Sequence, residues 1–340
     1  MRTLLLASLF ALAPVPRAAR AADVAISVEK DAIAFKSGSA VVAKYATGPE
    51  VAKPYLYPVV APNGVAVTRG YPIESAPPMG TKDHLHHKSV WFCHGDVIPE
   101  GIELKIKSAN KADKGVDFWS EAKDATGPRH GKIKVVKIGK PREHEKNHVS
   151  IETENEWITP DGVKIMEEVR TIHFLDVPEG RLFAFDITLK ATVCPITFGD
   201  TKEGSFGIRV RDELTMLKKK DQLGGDGLMT NAEGKAGEKD IWGLPSDWVH
   251  YAGKIGEKDV GVAVFSHPSN PKVSWHARGY GLVAANPFGR DHSGFPSQKG
   301  KTDLLKIAKG ADMKLRFAVY AHTGDIKGGK VAEAFAAFKK

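Results

Sequence analysis

From Val24 onward, apolar and polar side chains alternate in short runs broken by turn residues, and a period near two predicts strands. VAISVEK, IAFKS, VVAKYA and YLYPVV follow one another from Val24 to Val60. The longest patterns lie between Gly131 and Thr192. Four runs there are separated by Lys140-Pro141-Arg142, Thr159-Pro160-Asp161-Gly162 and Val177-Pro178-Glu179-Gly180. Proline presets φ and glycine accepts positive φ, so these are turns, and the four runs form an antiparallel meander. In the last of them Phe183, Phe185, Ile187 and Leu189 alternate with Ala184, Asp186, Thr188 and Lys190, which gives one dry face and one polar face. In the second, Ile151, Thr153, Asn155 and Trp157 oppose Glu152, Glu154 and Glu156, and the glutamate row reads as a solvated face. Strands this long favour a large two-sheet sandwich over a small barrel. Further runs, DWVHYAGKI, VGVAVFSH, VSWHAR, YGLVAANP and MKLRFAVYAH, complete the pattern. Val331, Phe335 and Phe338 stand at helical spacing. The expectation is an all-β fold, a large antiparallel β-sandwich with a short C-terminal helix. Residues 23–340 form a single domain, with a glycine-rich excursion or lid at about 218–242.

The first 22 residues stand apart from this pattern. Arg2 supplies a charged start, Thr3 to Pro14 an apolar stretch, and Ala19-Arg20-Ala21 a small-residue cleavage signature. Residues 1–22 are therefore predicted to be a signal peptide and the mature chain to be exported, periplasmic or extracellular. No later segment reaches transmembrane length, so membrane insertion is not expected. The 49 basic and 41 acidic residues leave a mild surplus, and Arg2, Arg17 and Arg20 belong to the leader. The remaining lysines are dispersed, with no aromatic-interleaved basic block, so no nucleic-acid partner is expected. Cys93 and Cys194 read either as a disulfide or as buried free thiols. A G-x-S-x-G elbow, a P-loop and a dinucleotide fingerprint are all missing, which argues against the common enzymes built on them. Oligomeric state has no signature.

Candidate chemistry concentrates between Thr68 and Asp96, which holds four of the thirteen histidines: His84, His86, His87 and His94. Ser89 to His94 reads as a strand placing Trp91 and Cys93 on one face and Phe92 and His94 on the other. An extended Asp83–His87 would aim His84 and His86 to one side. His84, His86 and His94 are then a possible ligand set for a divalent metal ion, and a metal-free polar cleft is the alternative. The catalytic candidates are His84, His86, His87, His94 and Asp83. A second constellation, Ser266–His292, places His276 and Arg278 on one strand face near Tyr280 and Asn286. Planar donors beside aromatic rings suit a sugar, whose hydroxyls need hydrogen bonds and whose C–H faces lie on rings; they equally suit a polar network that fixes the fold. Arg69, Tyr71, Trp91, Arg209, His276, Arg278 and Asn286 are the substrate-binding candidates. Arg209 lies in a strand pattern and is too costly to bury without a carboxylate or a ligand opposite it.

TRGYP, DHLHHKSVWFCHGD, DFW (Asp117 to Trp119), GSFGIRV and WHARGYGLVAANPFG together resemble a bacterial family of exported proteins of unassigned function that carry the label methane oxygenase PmoA, or PmoA-like. The resemblance covers nearly all of the chain after residue 22. Arg69, Tyr71, Asp83, His84, His86, His87, Trp91, His94, Asp96, Arg209, His276, Arg278 and Asn286 match its pattern. In architecture the family is similar to sandwiches of the galactose-mutarotase type, in which histidines and a carboxylate on a concave sheet handle sugars, so a galactose-mutarotase-like supersandwich is implied. The leading functional expectation is an exported carbohydrate-active enzyme working on a sugar or glycoside by histidine acid/base chemistry, with or without a metal: an epimerase, a lyase or a glycoside hydrolase. The alternatives are a non-catalytic glycan-binding or scaffold sandwich and, following the label, a copper-dependent oxygenase. Each reading of the site requires Asp83–His94 and Trp275–Asn286 to line a single cavity.

Overall fold

The four long runs form the predicted meander, as Lys132–Ile138, His148–Ile158, Lys164–Val177 and Gly180–Lys190, paired antiparallel throughout. The computed structural model describes residues 23–340, so the signal-peptide reading of residues 1–22 lies outside the described residues. The meander belongs to a nine-stranded sheet that continues from Gly180–Lys190 through Asp312–Thr323, Lys258–Ser266 and Trp248–Ile255 to Leu228–Asn231. Arg142–Glu145 closes its other edge against His148–Ile158. The second layer has eight strands in the order Val24–Val28, Ala32–Ser37, Ala40–Ala46, Tyr55–Tyr57, Val90–His94, Gly204–Arg209, Leu282–Asn286 and Ser274–Arg278. The result is the all-β antiparallel sandwich that the alternation demanded.

The core lies between the two sheets. Phe206 stacks on Phe317 at 5.1 Å, Phe35 meets Phe183 at 5.5 Å, and Phe92 meets Trp157 at 6.1 Å between ring centroids. Each such side chain removed from water contributes roughly 1.5–3 kcal/mol. Phe183, Phe185, Ile187 and Leu189 are buried and Asp186, Thr188 and Lys190 are not, as the alternation predicts. Glu152, Glu154 and Glu156 are half-exposed. Val331–Phe338 is helical, and its Val331, Phe335 and Phe338 pack with Trp248, Phe265 and Tyr320 on the outer face of the nine-stranded sheet. Cys93 and Cys194 are both free and buried.

The 218–242 excursion carries more structure than its composition suggests. Leu228–Asn231 adds a strand to the sheet edge and Glu238–Ile241 forms one helical turn. Leu223 N–H donates to the Met79 carbonyl, which ties the excursion to the histidine-rich loop.

Strand register decides where the site can be. The row Trp91, Gly207, Ala284 and His276 crosses the eight-stranded sheet, one residue out of step with the row Phe92, Phe206, Ala285 and Trp275. Phe92 and Phe206 face the core, so Trp91 and His276 face away from it. Gly207 is required there, because a Cβ would come within 2.8 Å of the Trp91 indole.

Candidate functional site

The loop that leads into Val90–His94 lies over this outer face and is held by two buried guanidinium groups. Arg69 donates to Asp83 Oδ1 at 2.6 Å, to Thr81 Oγ1 at 3.0 Å, and to the carbonyls of Asp83 and His84 at 3.0 and 3.1 Å. Arg209, fully buried, donates to Asp83 Oδ1 at 2.8 Å and to His87 Nδ1 at 3.3 Å. These bonds over-determine the backbone. His84 has φ +44° and Ser89 φ +60°, left-handed values that cost a non-glycine residue on the order of 1 kcal/mol and persist only where neighbours enforce them. Burial opposes the charge on Asp83, but the His84 hydrogen bond and the charges of Arg209 and Arg69 hold its carboxyl well below the usual range. Asp83 is therefore a fixed anion. The carboxylate that Arg209 required is a carboxylate of the protein.

The histidines that this clamp presents form an aromatic stack. His84 lies between Tyr280, at 5.0 Å, and His87, at 4.7 Å, and His87 lies on Trp91 at 5.2 Å. His86 meets His87 edge-on at 4.5 Å, with Trp119 alongside. Burial, then Lys53 and His84, push the His86 imidazole down to about 3; burial and its cationic neighbours hold His87 well below its ordinary value. Both rings are neutral near pH 7.

A cavity of about 650 Å³ opens above the stack and is lined by His84, His86, His87, Trp119 and, from the second constellation, His276, Arg278 and Tyr280. The two sequence segments do meet. The cavity also takes in Asp117 of the DFW segment and three residues that no sequence motif marked, Asp113, Lys202 and Glu203. Glu203 is half-buried, and burial raises its carboxyl above the ordinary value. Burial likewise pushes Asp113 up to about 6. His276 donates from Nδ1 to the Lys202 carbonyl at 3.0 Å, which leaves Nε2 as the acceptor nitrogen, and its Nδ1 is 3.9 Å from Glu203 Oε2. Burial, then Arg278 and Lys202, depress His276 to about 3. Asp117 accepts from the backbone N–H of Trp119 at 2.7 Å and of Ser120 at 3.0 Å, so it shapes the turn that carries the indole.

Several predicted site residues have other places. His94 does face away from Trp91, as the strand alternation required, and is fully buried against Phe198 and Phe288. Its Nε2 donates to the Gly199 carbonyl at 2.8 Å. It cannot join His84 and His86 around an ion or act in the cavity, and that expectation is corrected. Asn286, buried, donates to the Thr201 carbonyl at 2.9 Å and accepts from Phe288 and Gly289 N–H, both at 2.9 Å. His94 and Asn286 thus anchor the segment 199–204 that presents Glu203. Arg69 and Arg209 hold the loop, Tyr71 packs at 5.7 Å on Arg69, and Trp91 lies beneath His87 as floor. Of the substrate-binding candidates, His276 and Arg278 line the cavity. Arg278 reaches Glu238 of the excursion at 3.2 Å. Among the described residues, the histidines whose ligand atoms converge closely enough to hold a metal ion are His144, His148 and His173, on the other sheet.

Among solved structures, the chain is similar to a galactose mutarotase-like protein from Clostridium acetobutylicum, at 9% identity and TM-score 0.41, over 89% of this chain and 99% of that one. It is also similar to a galactose mutarotase-like protein from Lactobacillus casei, at 9% identity and TM-score 0.39, over 88% of this chain and 100% of that one. An alpha-galactosidase from Lactobacillus brevis matches at 9% identity and TM-score 0.41, over 93% of this chain; the chain spans 41% of that enzyme's length. No curated protein matches the sequence. Residues 32–336 match a family described as a family of unknown function, DUF6807, and the chain belongs to that family.

Proposed function

We propose that the chain is a carbohydrate-active enzyme that moves protons on a sugar or glycoside bound in the cavity over the eight-stranded sheet. The observation that carries this reading is the meeting of neutral imidazoles with a half-buried carboxyl of raised pKa, Glu203, in one aromatic-walled cavity. A carboxyl poised nearer neutral pH is a better general base than an ordinary one and, once protonated, can give the proton back. In this reading Glu203 takes a proton from a substrate hydroxyl or carbon and returns it to the substrate, and His84 and His86 hydrogen-bond the oxygen on which charge develops. Arg278 and the acceptor Nε2 of His276 hold hydroxyls. Tyr280 and Trp119 offer ring surfaces to the C–H faces of the sugar. The ring N–H groups of Trp119 and His87 Nε2, buried beside the cavity with no protein acceptor, add polar demand at its floor.

The test is turnover on a panel of aldoses and glycosides, followed by NMR for anomer or epimer exchange and for bond cleavage. With the fold intact by circular dichroism, Glu203→Gln and His86→Ala are each expected to lower kcat by about 10²-fold or more. Unchanged turnover in both variants sinks the assignment. Sugar binding by calorimetry without product on any substrate would favour a non-catalytic glycan-binding sandwich. Export belongs to the same proposal, supported by the leader-like residues 1–22, and N-terminal sequencing of the protein from a cell's exported fraction tests it.

A further inference from the structure

The outer face of the nine-stranded sheet carries a second histidine cluster, far in the fold from the cavity. His148 begins the strand His148–Ile158, His173 lies on Lys164–Val177, and His144 lies on the edge strand Arg142–Glu145. The pairing register slips between Glu143 and Glu145, which makes His144 the extra residue of a bulge. Bulges re-aim a side chain, and this one brings the His144 ring onto that of His148, with centroids 4.2 Å apart. One ligand nitrogen from each of the three residues lies within 4.8 Å of the others.

We infer that His144, His148 and His173 form a binding site for a late first-row divalent cation, Zn²⁺ in the first instance. Three geometric facts support this. His148 Nε2 and His173 Nδ1 face each other at 3.1 Å, and two imidazole nitrogens sharing one tetrahedral zinc lie about 3.3 Å apart. His173 uses its other nitrogen, Nε2, to reach Asp186 Oδ2 at 3.2 Å, so the N–H is spent on a carboxylate and the Nδ1 lone pair is turned toward His148. A carboxylate behind a ligand histidine fixes its tautomer and raises its basicity, as in zinc sites generally. His144 is exposed and His148 and His173 are half-buried, so an ion can enter and a fourth position stays open to water. An all-imidazole set selects zinc, cobalt, nickel or copper over magnesium and calcium, which require oxygen ligands. Lys146, at the tip of the same hairpin, accepts through its carbonyl from Val24 N–H at 3.1 Å, so an ion bound here would clasp the hairpin that holds the start of the first strand.

The full chain, freed of metal with a chelator, is titrated with Zn²⁺ by calorimetry, with Mg²⁺ as the control, and with Co²⁺ by visible absorption. One equivalent of Zn²⁺ is expected to bind and to raise Tm, and Co²⁺ to give the intense bands of a four- or five-coordinate ion. His148→Ala with His173→Ala is expected to weaken Zn²⁺ binding by at least about 100-fold, and Asp186→Asn by about 10-fold. Substitution of the exposed His144 keeps the test informative should the double variant fail to fold, with a loss of about 10-fold or more expected. His86→Ala in the cavity is expected to leave Zn²⁺ binding unchanged. Absence of Zn²⁺ binding by the unaltered chain overturns the inference, as does binding that is indifferent to His144, His148 and His173.

Discussion

Two histidine triads sit on opposite outer faces of one sandwich, and they differ in what stands behind the rings. His84, His86 and His87 stack on one another and on Tyr280, Trp91 and Trp119, with Lys53, Arg69 and Arg209 nearby. His144, His148 and His173 turn nitrogens toward a common point, with Asp186 behind one of them. Burial first, and then the neighbouring cations, keep His86 and His87 neutral and oppose a divalent ion there; the carboxylate on that face, Asp83, lies 3.2 Å from His84 but is already shared by Arg69 and Arg209. On the other face the carboxylate stands directly behind His173, on its second ring nitrogen, and favours a bound cation. The same residue type, three times over, is therefore directed to two chemistries by second neighbours that lie on other strands.

Deleting the carboxylate from each face is the strongest way to break that contrast. Asp83→Ala leaves Arg209 and Arg69, 0% and 2% exposed, without their shared anion and beside one another. Removing one partner of a fully buried ion pair typically costs about 3–5 kcal/mol; Asp83 itself is 42% exposed, so solvent screens part of this and a loss of roughly 2 kcal/mol is expected from urea unfolding. Asp186→Ala leaves Arg316, 35% exposed, and His173 free to meet water, so roughly 1 kcal/mol or less is expected in metal-free protein. Equal losses on the two faces would remove the distinction.

Acid sharpens it further. His86 and His276 are held near 3, His94 near 4, and His87 and His250 well below the ordinary value, in each case chiefly by burial. Below about pH 6.5 the unfolded chain protonates these rings and the folded chain does not. Unfolding then takes up protons, and stability falls as pH drops from about 6.5 toward 3. Tm measured from pH 7.5 to 4 is expected to decline steadily below about 6.5, and a flat profile across that window would contradict the neutral, buried state of these five rings.

Much of the fold was legible because period two and the Pro-Asp-Gly and Pro-Glu-Gly turns act locally. The convergence of DHLHH with WHARGY was legible as a requirement, since both are polar and aromatic in a chain otherwise patterned for a core. His94 and Asn286 were misjudged for a physical reason: a buried polar side chain that serves a backbone carbonyl has the same sequence appearance as one that serves a ligand. Glu203 was missed because Thr201-Lys202-Glu203-Gly204 carries no periodic signal. Pairing SVWFCH with GSFGIR would have found it, since Gly204 stands opposite His94 and Gly95 N–H donates to the Glu203 carbonyl at 2.7 Å. His144 and His148 are four apart across a bulged hairpin, and His173 joins them only through a register that sets it opposite Ser150. No single window contains all three.

The finest test of the cavity reading asks for opposite signs from one substitution. Burial raises the pKa of Glu203, so its charged form is held at some cost and the folded state binds the proton more readily than the unfolded state does. A residue placed for stability would lose stability when changed, whereas a residue whose charge is tolerated for chemistry would gain it. Glu203→Gln removes the charge and keeps the shape. Since the side chain is 34% exposed, solvent screens much of the effect and the expected gain is only about 0.5 kcal/mol at pH 7, shrinking as pH falls and the native carboxyl protonates. A rise in Tm together with a collapse in turnover would place Glu203 among groups kept for reaction. A fall in both would make it one more anchor of the segment that His94 and Asn286 already hold.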